Sequence, residues 1–466
     1  MNLSTRAITP FGASTATAAP GPYAERKRGH IGLVVAGSIT TGLLVSAAST
    51  LLLFPGATEP VITGAALVSW GIGWAMLWLL SRRTTQPQEW ARIPAVVMGG
   101  GGATYLLLRP DAGLISALGW VWPMGLAALI VWMVRRSRRS LRSWSRRVLL
   151  YPLFGILALC AISGAAERVA ETRDAAHLAD AGALYDVGDH RLFLNCVGTG
   201  SPTVVLESGL GSPSTAMAGR IAPGVARTTR VCVYDRAGYG RSEPAPTPRD
   251  GVQAAADLNA LLAAAHETGP FVLAGHSSGA VYIRIYAKTY PTQVAGMVLI
   301  DGQSPDAMTK MPGWSSFYWV YRRVEALEPS LARLGVLRVF AHAFPEDLPD
   351  PARTQAVTTA SEPVTYRALR DELSQLPTAL DQAHSGPDSL GSKPLVVLTA
   401  GKDAARGWMP LQEAMTALST NTVHRVLPDA THQSLTDNPR DARAAAAAVT
   451  DVVAAVRTGD PVVTRR

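Results

Sequence analysis

Gly275-His276-Ser277-Ser278-Gly279 puts a serine at the centre of a Gly-x-Ser-x-Gly pentapeptide. The apolar run 270–274 precedes it, and a helix-like stretch, 280–287, follows it. Strand, tight turn and helix together form a nucleophile elbow, in which a strained backbone lifts the serine oxygen above the end of a sheet. The positions two before and two after the serine must be small, because a side chain there would strike the neighbouring strand or helix. A serine hydroxyl attacks a carbonyl carbon only when a base takes its proton, and that base needs a carboxylate to hold it. The pentapeptide therefore predicts acyl chemistry at Ser277 and requires a histidine and an acid from elsewhere in the chain.

The elements that must position these groups lie in residues 166–466. Short β-rich runs at 182–187, 190–197, 203–208, 230–235, 270–275, 295–301, 394–400 and 422–427 alternate with helical patterns at 215–227, 252–267, 278–290, 408–419 and 440–457. Such alternation predicts an α/β fold with a largely parallel sheet. Residues 302–391 break the rhythm, with some ninety positions and no strand-like run. That is too long for a structureless loop in one domain, so it reads as an inserted helical lid. Its aromatic group, Trp314, Phe317, Tyr318, Trp319 and Tyr321, either lines an apolar pocket or glues the lid down.

The blocks Val204-Val205-Leu206-Glu207-Ser208-Gly209-Leu210-Gly211 and Asp235-Arg236-Ala237-Gly238-Tyr239-Gly240-Arg241-Ser242, the elbow, and the late strands ending near Asp403 and His432 occur in that order. In these blocks residues 182–457 resemble an α/β-hydrolase of the esterase, lipase and peroxidase-like branch. The resemblance implies an eight-stranded, mostly parallel sheet with helices on both faces and a Ser–acid–His chain order. It makes Asp403, after the strand that follows the lid, the expected acid, with Asp301, at the end of the strand 295–301, as the alternative. It makes His432, in the loop after the last strand, the expected base. His276 occupies the variable position of the elbow and reads as a packing residue. The oxyanion donors it implies are the backbone N–H groups of Ser278 and Leu210.

Relatives that open epoxides or haloalkanes carry aspartate in place of the serine, so hydrolysis of a carboxylic ester is the leading expectation. Thioester or amide cleavage and acyl transfer also use this machinery, and a sensor or scaffold with a hydrolase-like binding domain is an alternative of a different class. No metal-ligand cluster or nucleotide-binding glycine motif is evident, so no cofactor is expected. Gly99 to Gly102 lacks the preceding strand and the Lys-Ser/Thr pair of a phosphate loop. Cys196 and Cys232 fall on strands that are neighbours in this family, which allows a disulfide outside the cytoplasm; two buried thiols are the alternative.

The N-terminal part is different in kind. Residues 1–165 hold 15 Lys and Arg against 4 Asp and Glu, whereas the remainder holds 28 against 31. The basic charge of the chain thus belongs beside apolar segments and argues for membrane topology rather than nucleic-acid binding. After a tail at 1–29 with the composition of a disordered segment, apolar stretches at 31–54, 60–80, 93–109, 112–134 and 148–165 predict about five spans in an all-α bundle. The third is short and glycine-rich. Seven arginines crowd residues 135–147. With the tail and the basic loops in the cytoplasm, five spans place the catalytic half, joined by a linker at 166–181 and followed by a tail at 458–466, outside it. The predicted protein is a multi-pass cell-membrane enzyme whose partners are the lipid bilayer and a small or lipid-like acyl ester.

Overall fold

Runs of β-branched and aliphatic residues build the sheet. The computed structural model describes residues 30–141, 148–174, 182–343, 347–385, 389–402 and 404–462. Eight strands, β1 (Ala183–Asp186), β2 (Arg191–Val197), β3 (Val204–Glu207), β4 (Val231–Tyr234), β5 (Phe271–His276), β6 (Val294–Ile300), β7 (Leu395–Ala400) and β8 (Thr422–Leu427), form one sheet in the order β1-β2-β4-β3-β5-β6-β7-β8. The β1–β2 and β2–β4 pairs are antiparallel, and the rest are parallel. Every residue of β3, β4, β5 and β7 is buried, as expected for parallel strands covered on both faces.

One cover comes from the helices Gly251–Ala264, Gly279–Thr289 and Pro363–His384, through Leu258, Leu261, Val281, Tyr286, Leu373 and Leu376. The other comes chiefly from Pro439–Thr458, through Ala445, Val449 and Val452, with Ile221 and Val225 beside it. Each fully buried Val, Leu or Ile contributes about 1.5–3 kcal/mol. The Sγ atoms of Cys196 and Cys232, directly opposite one another on β2 and β4, are joined in a disulfide. Between β6 and β7 the chain makes a helical insert, whose longer helices include Trp314–Glu325, Glu328–Arg333, Val336–Ala343 and Pro363–His384.

The N-terminal helices are α1 (Ile31–Ala48, prolonged by a π-helical turn to Leu53), α2 (Glu59–Ser81), α3 (Arg92–Leu108), α4 (Ala112–Leu118), α5 (Trp122–Ser140) and α6 (Tyr151–Asp174). Among the described residues, four helices are long and apolar enough to cross a membrane, and a fifth crossing requires α4 and α5 to act as one span bent by 46°. The expected straight fourth span is thus a broken one, interrupted at Gly119-Trp120-Val121. The third stretch, doubtful in the sequence for its four glycines, is a continuous helix. Its glycines let α2 and α3 touch: a Cβ on Gly102 would lie 2.6 Å from the Gly64 carbonyl oxygen, and one on Gly71 would lie 2.7 Å from Gly99. Helix α6 runs to Asp174, past the expected start of the linker at 166.

Candidate active site

In a parallel sheet, groups converge at the carboxyl ends of the strands. Here β5 ends at His276, and Ser277 follows with φ 54°, a left-handed conformation that L side chains rarely adopt. The turn is held by its neighbours: Ser277 N–H donates to the Ile300 carbonyl oxygen at 3.2 Å, and Gln303 N–H donates to the Ser277 carbonyl oxygen at 2.8 Å. The flanking glycines have no room for a side chain. A Cβ on Gly275 would stand 2.6 Å from the backbone of Gly279, and one on Gly279 would stand 2.6 Å from the Glu207 carbonyl oxygen.

Asp301, at the end of β6, is the second residue with a positive φ (43°) among these strand ends, and it is 2% exposed. Its Oδ1 accepts hydrogen bonds from Ala400 N–H at 3.2 Å and Trp408 Nε1–H at 2.8 Å. Its Oδ2 lies 2.6 Å from His432 Nδ1. The carboxylate therefore fixes the ring of His432 and its tautomer, leaving Nε2 with a lone pair. The rings of Trp408 and His432 meet nearly perpendicular, with centroids 6.1 Å apart. The carboxylate that the structure joins to His432 is Asp301, the alternative acid; Asp403, the expected acid, lies outside the described residues. Asp301 N–H donates to the Leu398 carbonyl oxygen of β7 at 2.6 Å, which sets the carboxylate between the ends of β6 and β7.

His276 does more than pack. Its Nε2 lies 3.0 Å from the His432 carbonyl oxygen, which can only accept, so Nε2 carries the proton. The two rings sit 4.6 Å apart. Burial, with His432 beside it, pushes the His276 pKa down to about 3, so the ring is neutral and adds no competing cation. The sequence held no signal for this bond, because it spans 156 positions.

The loop Ser208-Gly209-Leu210-Gly211 crosses in front of Ser277: a Cβ on Gly209 would come within 3.0 Å of the Ser277 Cβ. Neither the Leu210 nor the Ser278 amide donates to a carbonyl among the described residues. The loop is braced from behind by a buried ion network. Arg236 Nη1 donates to Glu207 Oε1 at 2.5 Å and to the Ser208 carbonyl oxygen at 2.7 Å. Its Nη2 donates to the Gly209 carbonyl oxygen at 2.8 Å and to Glu372 Oε1 at 2.9 Å. Tyr234 and Tyr239 hydroxyls donate to Glu207 and Glu372 respectively. Burial pushes the Glu207 carboxyl upward while Arg236 pulls it back, and both carboxylates hold the Arg236 guanidinium charged. Glu372 comes from the insert, so this network ties the insert to the loop beside the serine. A cavity of 340 Å³ bounded by Arg236, Tyr239, Tyr282 and Glu372 adjoins the network, and its lining does not include Ser277, Asp301 or His432.

The fold has counterparts among known proteins. The sequence model of a family described as the alpha/beta hydrolase family matches residues 204–446, just over half of the chain. A protein named as a transporter, from Hormonema carpetanum, is 31% identical over 144 residues, which cover 29% of this chain and 20% of that one. An uncharacterized protein of Schizosaccharomyces pombe is 26% identical over 215 residues, 46% of this chain and 39% of that one. The chain spans less than half of the length of each curated relative that it matches. Among solved structures, the Cif epoxide hydrolase from Acinetobacter nosocomialis superposes with a TM-score of 0.50 at 15% identity, covering 61% of this chain and 95% of that one. At that identity the likeness concerns the fold.

Proposed function

The chain belongs to the alpha/beta hydrolase family, and from that premise we propose that it is a membrane-anchored serine hydrolase that cleaves a carboxylic ester through an acyl-enzyme. The observation that carries this reading is the Asp301–His432 pair at 2.6 Å beside a serine in a left-handed turn. Ser277 Oγ attacks the ester carbonyl carbon as His432 Nε2 takes its proton, and Asp301 stabilises the imidazolium that forms. The amides of Leu210 and Ser278 receive the oxyanion. The tetrahedral adduct expels the alcohol, which takes the proton from His432. Water, deprotonated by the same ring, then attacks the acyl-Ser277 ester and releases the acid. Ser277, where aspartate would be needed to open an epoxide, supports ester chemistry.

The catalytic half faces the extracytoplasmic side of the cell membrane in this reading. The arginine-rich ends of the second and fourth apolar segments support that orientation, as does the Cys196–Cys232 disulfide. A fluorophosphonate probe should label the full-length protein in membranes, and Ser277→Ala should lose the label. Failure of the folded wild type to react would overturn the hydrolase reading. Reporter fusions after residue 174 that work only in the cytoplasm would overturn the orientation alone.

A further inference from the structure

The insert is bolted to the outer ends of the apolar helices. Glu59, in the first turn of α2 and 1% exposed, pairs with Arg333 and with Arg367 Nε at 2.5 Å. Ser330 Oγ and Thr63 Oγ1 share a hydrogen bond of 2.9 Å. Thr63 lies four residues inside α2, about 6 Å along its axis from Glu59. A Cβ on Gly335 would sit 3.3 Å from the Ser163 carbonyl oxygen, within the apolar stretch of α6. Arg338 bridges Glu167 and Asp174 further along α6, at 2.6 and 2.7 Å. Arg323 Nε donates to the Leu51 carbonyl oxygen at 2.9 Å, in the last turn of the first span. Four separate approaches, at Arg323, Ser330, Arg333 and Gly335, thus set residues 323–335 level with the outermost turn of the spans.

At that level the insert turns apolar side chains outward. On the helix Trp314–Glu325, Phe317, Val320 and Val324 lie on one stripe, each about half exposed, with Trp319 alongside. On Val336–Ala343, Val339 is 69% exposed, with Val336 and Phe340 on the same stripe. Leu52 and Leu53, next to the Leu51 carbonyl that receives Arg323, are equally bare. The Arg323 guanidinium lies over the Trp319 ring at 3.5 Å, an arrangement suited to the headgroup boundary, where an aromatic ring and a cation both find partners. Water would be a poor solvent for these bare apolar stripes.

We propose that the outward faces of the helices Trp314–Glu325 and Val336–Ala343 are immersed in the outer leaflet of the bilayer that the chain's own spans cross. The insert is then an interfacial structure. It rests on the hydrolase reading only for its consequence, that an apolar ester enters the site from the leaflet rather than from water.

The test uses the full-length chain in nanodiscs of phosphatidylcholine and phosphatidylglycerol, carrying Cys160→Ala with the Cys196–Cys232 pair retained. Nitroxide labels are placed at Val320→Cys, Val339→Cys and, as a control on the sheet half, Val426→Cys. Relaxation by oxygen should dominate at 320 and 339, and relaxation by a water-soluble nickel chelate should dominate at 426. Nickel accessibility at 320 and 339 equal to that at 426 would overturn immersion. Protection accompanied by dipolar broadening between labels would show that a second copy covers the patch, and would overturn it too. A functional readout uses Val320→Asp with Val339→Asp. Hydrolysis of a long-chain p-nitrophenyl ester dissolved in the discs should fall tenfold or more, with that of the water-soluble acetate ester within twofold of wild type. Equal loss on both esters would overturn the leaflet route. If the wild type cleaves neither ester, the hydrolase reading fails while the label accessibility still decides the surface.

Discussion

The two halves of the molecule use buried polar groups in opposite ways. In the sheet half, charged and polar side chains are taken deep inside and paired with one another, as with Asp301, His276 and the Glu207–Arg236–Glu372 network. In the apolar half the interior is made of close-approaching glycines and aromatic rings, with the buried Glu59 and Glu167 near the helix ends that meet the insert. A burial cost in the first half is offset by geometry at a site. In the second half, among the described residues, buried charge is confined to where the two meet. The difference teaches that the sheet half is built for position and the apolar half for proximity.

The sharpest way to break this comparison is to remove the groups it assigns to position. Ser277→Ala should lower ester hydrolysis by roughly 10⁶-fold in kcat without changing the far-ultraviolet circular dichroism. Asp301→Asn should follow at about 10⁴-fold, while Asp403→Asn stays within about tenfold of wild type; reversal of that order in steady-state assays would return the acid role to Asp403. Next comes stability. Arg236→Met leaves Glu207 and Glu372 buried with no cation, and should cost about 3–5 kcal/mol in denaturant unfolding of the sheet half. Gly102→Val overpacks the α2–α3 contact and should cost about 1–3 kcal/mol, read as a lower unfolding temperature of the apolar half, with the catalytic rate retained.

The smallest effect sharpens the contrast by pH. His276 has its folded-state pKa pushed down to about 3 from 6.5, so its contribution is present above pH 6.5 and fades as pH falls toward 3. Glu328 of the insert is pushed up to about 9 from 4.5, by burial and by Glu325 beside it. Its contribution is complete below pH 4.5 and fades as pH rises toward 9. Hydrogen exchange should therefore loosen the site first in acid and the insert first in alkali. Glu328→Gln should flatten the alkaline trend, and an unchanged trend would exclude this residue as its source.

The legibility of the chain follows from distance along it. The strands and the elbow turn are visible because each signal lies within a dozen residues: an apolar run, Gly275 and Gly279, then a helix. The carboxylate facing His432 is not visible in that way. In the sequence Asp301 and Asp403 both follow strand-like runs, and only the folded chain brings Asp301 across 131 positions to the ring. Glu372, 136 positions from Arg236, had no local signal at all. The glycines of α3 made that span the doubtful one for a related reason. Read alone they weaken a helix, whereas the backbone of α2 pressed against them explains them. Trp120, within the break between α4 and α5, lies under the Arg168 guanidinium at 5.2 Å, a contact that hydropathy cannot register.

Glu59 has a practical consequence for anyone preparing the catalytic half by itself. One carboxylate borne on α2 holds arginines from two separate helices of the insert, Arg333 and Arg367. A fragment starting at residue 182 would keep every strand and lose that staple, leaving two cations without their anion. It would also lose the Leu51 carbonyl that receives Arg323 and the α6 acids that receive Arg338. The portion that folds like a free-standing enzyme is therefore not the smallest portion that keeps its shape.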